Sequence, residues 1–412
     1  MKARLTTVAT ASLFALGLGF TAPSIASAED TIVLGSAISL TGKYSSNGIN
    51  TQDGYNIAIN KVNEMGGVEI GGKKYKLEIK YYDDESTPLR TAQLLERLIN
   101  QDGVKFVLGP YSSATTAAAA PVVEKYEIPM VEAEGASRSL FNKGYKYTFA
   151  VLSTSEQYLA SSIALAAEVA EKNGKKASDV KVAMAFENDP FSLDVRAGVL
   201  EDAKKFGMKI VIDDKMPRDL NDISATLTKV KALKPDLLVL SGHTKGAATA
   251  ARQIGEMKID TPMIAVTHCE SAKVTSNFPG VVNGFLCPTQ WAETLTYKGK
   301  WFGTSGEFDA FFKKTYPSYK NVPYQAAQAA AAVLVYADAL QRAGTLDPKK
   351  VRDALSATDI ETFYGPIKFA EAGNNIAKPM VLRQIQNGDY NVVAPSKYAS
   401  HPLQWPREVP TN

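Results

Sequence analysis

Apolar positions along this chain fall into two alternating spacings. Thr31–Ala37 is a short apolar, β-branched run, and Asp53–Met65 carries an apolar stripe at helical spacing that Gly66-Gly67 stops. Gly71-Gly72 then marks a turn before the strand-like Tyr75–Tyr82. The same alternation predicts a helix over Thr91–Gln101, a buried strand at Phe106–Leu108, a helix over Ala114–Tyr126 and a strand starting at Met130-Val131. A second series follows Tyr147–Val151, with helices at Glu156–Lys172, Leu193–Phe206, Ile223–Leu233 and Lys245–Met257. Strands at Val180–Phe186, Lys209–Ile212, Asp236–Leu240 and Pro262–Val266 separate them. Repeated βα of this kind predicts parallel sheets covered by helices on both faces, and two series of similar length predict two lobes.

After Cys287 the pattern changes. Trp291, Tyr297, Trp301 and Phe302 make an aromatic, irregular stretch, and Tyr324–Arg342 is a long Ala-rich helix. Met380–Gln386 and Tyr390–Val393 flank Asn387-Gly388, a strong two-residue hairpin signal. The tail from Pro395 predicts irregular structure.

One stretch already points to a site. Tyr81–Ser137 reads as strand, helix, strand, a Gly-Pro-Tyr-Ser-Ser turn, helix, strand and a small-residue turn. At the carboxyl end of parallel strands, hydroxyls and helix N-termini meet the crevice where ligands bind. Half of a cleft is therefore expected here.

The first 28 residues change the compartment rather than the fold. Lys2 and Arg4 precede the apolar run Ala9–Phe20, which is too short to span a membrane, and Ala26-Ser27-Ala28 suits a signal peptidase. Cleavage after Ala28 would leave 412 − 28 = 384 residues exported to the periplasm. Losing Lys2 and Arg4 takes the formal charge from +3 to +1. A nearly neutral chain without a basic block argues against nucleic acid or anionic lipid as partner. Two cysteines, Cys269 and Cys287, are compatible with a disulfide or with two buried thiols. No GxSxG, Walker or HExxH motif occurs, so neither an enzyme nor a cofactor is expected. A metal site on His243, His268, Cys269 and Glu270 is disfavoured, because adjacent side chains on an extended segment point apart.

The motifs together resemble the type I solute-binding proteins of ABC importers, in particular the branched-chain amino acid and amide group. Ser39-Leu40-Thr41-Gly42, Asn63-Glu64-Met65-Gly66-Gly67, Tyr82-Asp83-Asp84, Gly109-Pro110-Tyr111-Ser112-Ser113 and Tyr364-Gly365-Pro366 carry the likeness across the mature chain. The resemblance implies two Rossmann-like α/β lobes joined by three crossovers. Residues 29–151 with 290–377 would form the N-terminal lobe, 152–289 with 378–398 the C-terminal lobe, and 399–412 a tail. It also implies a monomer that closes on a small ligand and docks on a permease of the inner membrane.

The resemblance further implies where the ligand lies. Ser113, with Ser112 and Tyr111 beside it, matches the serine that grips a carboxylate, although a helix cap explains the same hydroxyls. Gly135, Ala136 and Ser137 cover a second contact, with a one-residue slip left open, and Glu134 beside them would repel a carboxylate. Asn47 is expected on the loop Lys43–Gly48. In the second lobe the usual acidic partner of an ammonium is replaced by Thr267-His268, and an aromatic position by His243. Phe191 stands where a ring stacks on the ligand, and Trp291 is a further candidate, with core packing as the alternative. A lost ammonium acceptor with added imidazoles favours a small organic acid with an aromatic or apolar body. An aliphatic amino acid held by Glu270 or Glu187, or a sensor role, is the alternative.

Overall fold

A computed structural model of the chain describes Met1 and residues 30–408. The expected export segment, Met1 apart, and the last four residues of the tail lie outside the described residues.

The first lobe is built on β1 (Thr31–Ile38), β2 (Val68–Ile70), β3 (Lys73–Asp83), β4 (Val107–Leu108), β5 (Met130–Glu132) and β6 (Thr148–Ala150). They form one sheet in the order β2-β3-β1-β4-β5-β6, parallel except for the edge strand β2. Register follows directly from the pattern: Thr31 to Ile38 pair one-to-one with Lys76 to Asp83. Helices α1 (Ser45–Glu64), α2 (Pro88–Asn100) and α3 (Ser113–Tyr126) connect these strands. The Ala-rich helix Tyr324–Ala343 is buried along most of its length and packs on α1. Its alanines admit that close approach, since small side chains let two backbones come together.

The second lobe holds β7 (Lys181–Glu187), β8 (Lys209–Met216), β9 (Leu237–Ser241), β10 (Met263–Val266) and β11 (Leu286–Thr289), with helices α4 (Ala160–Lys172), α5 (Pro190–Lys205), α6 (Ser224–Leu233) and α7 (Thr244–Glu256). Its sheet runs β8-β7-β9-β10-β11 and ends in an antiparallel hairpin, Val381–Gln386 with Asp389–Ala394. Leu237–Ser241 is fully buried, as expected of a strand covered on both faces. Asn387-Gly388 makes the two-residue hairpin turn, both residues at positive φ. Cys269 and Cys287 form a disulfide with Cα atoms 5.6 Å apart.

The chain passes between the sheets three times, and the crossings are tied together. The Gln290 side chain receives the Ser153 N–H at 3.1 Å and donates to the Ser153 carbonyl at 2.9 Å. Ser153 Oγ donates to the Lys378 carbonyl at 2.8 Å. The tail lacks helix and strand over its described residues yet is anchored, because buried Arg407 donates to the Ile259 and Thr261 carbonyls. Among the described residues no helix is long and apolar enough to cross a membrane.

Candidate functional site

The first-lobe half starts where β4 ends. Gly109-Pro110-Tyr111 leads into α3, and Ser112, at φ +88°, is its N-cap, accepting from the Thr115 N–H at 3.3 Å. Ser113 opens the helix, and its Oγ accepts from the Ser137 N–H at 3.0 Å. Ser112 is thus spent on capping, whereas Ser113 keeps its own proton for a ligand. Gly135 must be small: a Cβ there would lie 2.6 Å from Thr116 Oγ1. The Ala136 carbonyl accepts from Ser155 N–H at 2.7 Å. Ser137 donates toward Asp194 and Pro190 of α5, so its hydroxyl crosses to the other lobe rather than facing a free space. Asn47 lies in the first turn of α1, not on a loop. Its amide nitrogen donates to Tyr111 Oη, and its oxygen accepts from Thr244 Oγ1 at 2.8 Å.

The second-lobe half comes from three successive strand ends. Phe191 sits in the first turn of α5 after β7, His243 precedes α7 after β9, and His268 follows β10 at φ +61°. The Phe191 ring centroid lies 5.6 Å from both imidazoles, and Tyr44 lies 4.7 Å from that of His243. Tyr111 Oη reaches across the lobes to His268 Nε2 at 3.1 Å and His243 Nδ1 at 3.3 Å. The two histidines, Tyr111, Asn47 and Phe191 are therefore one cluster.

Hydrogen-bond direction fixes the protons in it. His268 Nδ1 lies 2.9 Å from the Gly242 carbonyl and must donate to it. Burial pushes the His268 pKa down to about 3, and the neighbouring His243 adds to this, so its Nε2 is a bare acceptor. Tyr111 gives its single proton to that nitrogen. Its oxygen then accepts from Asn47 and from His243 Nδ1–H. The remaining nitrogen, His243 Nε2, faces Asp189 Oδ2 at 3.2 Å. Burial pushes Asp189 up, but the charge of His243 and its hydrogen bond outweigh burial and hold the carboxyl below its usual value.

The other acids are likewise engaged. Glu187 pairs with Lys43 across the lobes, and Glu270 accepts from Arg383 at 3.1 Å and Thr289 at 3.0 Å. Glu134 accepts from Gln328 at 2.6 Å and lies 2.7 Å from Thr51 Oγ1. Thr51 Oγ1 donates to Glu134 and also faces the Asn47 carbonyl at 2.9 Å. Burial raises the Glu134 pKa well above the usual carboxyl value. That shift toward the neutral form weakens the repulsion of a ligand carboxylate expected from sequence.

Two expected contacts lie elsewhere. Trp291 is fully buried in the first-lobe core, edge-on to Phe308 at 5.7 Å, with its N–H on the Phe363 carbonyl. The core packing held open for it from sequence is what the structure shows. Thr267 clamps the β9 and β10 ends, donating to the Gly242 carbonyl at 2.8 Å. Asp189, Tyr44, Tyr158 and Tyr324 join the site without having been singled out. For Asp189 the signal was present: Asp before Pro190 is a helix start, and the side chain caps Ser192 N–H at 2.8 Å.

Comparison with known proteins identifies the family. Residues 31–389 match the family described as periplasmic binding protein. The chain belongs to this family. It is a periplasmic solute-binding protein of the ABC transporter type. The leucine-, isoleucine-, valine-, threonine-, and alanine-binding protein of Pseudomonas aeruginosa is 25% identical over 353 residues, 85% of this chain and 89% of the relative. The isoleucine complex of LivJ from Streptococcus pneumoniae superposes with a TM-score of 0.76 at 23% identity, covering 89% of this chain and 100% of that one. A solute-binding protein of R. palustris in complex with benzoate gives 0.74 at 16% identity, covering 93% and 98%. At these identities the structures establish the fold.

Proposed function

We propose that this protein captures a small carboxylate with an aromatic or apolar body by closing its lobes, and delivers it to a membrane permease. One observation carries the choice of ligand: each of the four acids nearest the cleft already has a protein partner. Lys43, His243 and Arg383 face Glu187, Asp189 and Glu270, while Thr51 and Gln328 hold Glu134. An incoming ammonium would have to share its carboxylate with one of these partners. The start of α3 instead offers N–H groups that have no partner within the helix, together with the Ser113 hydroxyl, which suits an anion. Phe191, Tyr44 and Tyr111 supply ring surface beside it. The benzoate-bound relative is compatible with this reading.

A second reading is an aliphatic amino acid, favoured by the P. aeruginosa relative and by Asp189, whose Oδ2 has only His243 to hold it. The lobe boundaries near residues 151/152, 289/290 and 377/378, export with removal of residues 1–28, and a monomeric state belong to the same proposal.

The test is a thermal-shift screen of mature protein stripped of ligand, with leucine, valine, acetamide, benzoate, 4-hydroxybenzoate and coumarate. A ligand at ~100 times its Kd adds about 2.7 kcal/mol, a readily visible shift. Shifts with aromatic acids alone are expected. Shifts with leucine or valine alone would replace the reading with the second one.

A further inference from the structure

A cavity of 380 Å3 lies between the lobes beside the aromatic cluster. Its walls come from both sides: Asn47 and Asn50 of α1 and the segment Ser318–Gln325 from the first lobe, Ser271–Ser276 and Arg383 from the second. His268 and Asn47 line it and also hold Tyr111, so only that layer of side chains separates it from the start of α3. Such a volume is within the range of small-molecule sites, and it is not accounted for by the contacts proposed above.

The charge of the lining is lopsided. Lys273 stands on the second-lobe rim and Lys320 on the first-lobe rim. Both are exposed, and neither pairs with an acid among the described residues. Arg383 is held by Glu270 and Glu293, so the two lysines carry the uncompensated charge. The one carboxylate in the lining, Glu270, is committed to Arg383 and Thr289. The remaining walls mix serine and asparagine, whose polar groups solvate an anion, with ring and apolar surface from Tyr319, Tyr324, Tyr390 and Val322. Focused positive charge over a cleft raises the local concentration of an anionic ligand and favours its bound state.

We propose that this cavity is the distal half of the ligand site and takes a second anionic group, so that the preferred ligand is an aromatic dicarboxylate rather than a monoacid. The inference rests on the carboxylate reading above. The first carboxylate sits at the start of α3, the ring displaces the Tyr111 contacts to Asn47 and His268 that now separate that helix start from the cavity, and the second carboxylate lies between Lys273 and Lys320. Because the two lysines come from opposite lobes, they hold the second anion only when the lobes are closed.

Calorimetric titration of mature, ligand-stripped protein with benzoate, terephthalate and 4-carboxycinnamate tests this. At least one diacid is expected to bind about tenfold tighter than benzoate at low salt, or roughly 1.4 kcal/mol. The advantage should shrink as salt rises. It should disappear in a Lys273→Ala/Lys320→Ala double variant and persist in Lys273→Arg/Lys320→Arg. Both positions are exposed, so an unchanged melting temperature checks that the variants fold. If benzoate binds as tightly as both diacids, or the alanine variant keeps the preference, the cavity is only the mouth of the cleft. The carboxylate reading would survive either result. If leucine binds and no aromatic acid does, both proposals fail together.

Discussion

The two halves of the cleft are built from different chemistry. Lys43 apart, the first-lobe face presents Ser113, the α3 N-terminus, Asn47, and two buried acids, Glu132 and Glu134, held toward their neutral forms. The second-lobe face is acidic and aromatic, with the His243–Asp189 pair, a neutral His268 imidazole and Phe191. The first face can anchor a carboxylate whatever is attached to it. The second discriminates by what its protons and rings tolerate. Anchoring and discrimination are thus assigned to separate lobes, and only closure brings them together.

The strongest way to break this division is Asp189→Ala. It removes the carboxylate that His243 faces and a helix cap, so it should cost about 2 kcal/mol of stability and most of the ligand binding. Chemical denaturation and calorimetry on the same preparation would check this. Asp189→Asn, which keeps the shape, should lose binding with a smaller loss of stability.

Opposite pH responses sharpen the contrast. His268 titrates near 3 in the fold and about 6.5 unfolded, so the unfolded chain binds more protons between those values. Stability is therefore lost as pH falls from about 6.5 toward 3, by up to ~4 kcal/mol. Glu132, which burial raises to about 7, behaves the other way. Its contribution is complete below about 4.5 and lost as pH rises through 7. Melting temperatures across pH should show a maximum that Glu132→Gln broadens on the alkaline side and His268→Gln broadens on the acid side.

Ser113→Ala should weaken ligand binding by about tenfold, and because the Ser137 N–H loses its acceptor, it should also cost ~1 kcal/mol of apo stability. A Ser113→Ala protein with unchanged affinity would remove the first-lobe anchor from the account. Lys43→Ala leaves the buried Glu187 carboxylate without its cross-lobe partner and should weaken closure by about 1–3 kcal/mol. Its loss should show as an affinity difference that fades at high salt.

The fold was legible because each strand is short and bounded by turn residues, and because the Tyr81–Ser137 pattern leaves few alternatives. The clustering of Tyr111, His243, His268 and Phe191 was legible for the same reason: strand ends in parallel sheets converge. What the sequence concealed was how each group is spent. Ser137 and Thr267 carry the right hydroxyls but use them to tie neighbouring segments together. Trp291 follows a crossover but turns into the core. The hydrogen bonds that hold Glu134 come from Thr51, 83 residues away, and Gln328, 194 residues away. No local pattern reports such partners.

A crystal structure of the mature protein with bound ligand tests the central claim most directly. The account predicts a carboxylate at the start of α3 within hydrogen-bond reach of Ser113, a ring among Phe191, Tyr111 and the two imidazoles, and no ammonium near Asp189. An α-ammonium on Asp189 or Glu134, with an aliphatic side chain where the ring should be, would contradict it.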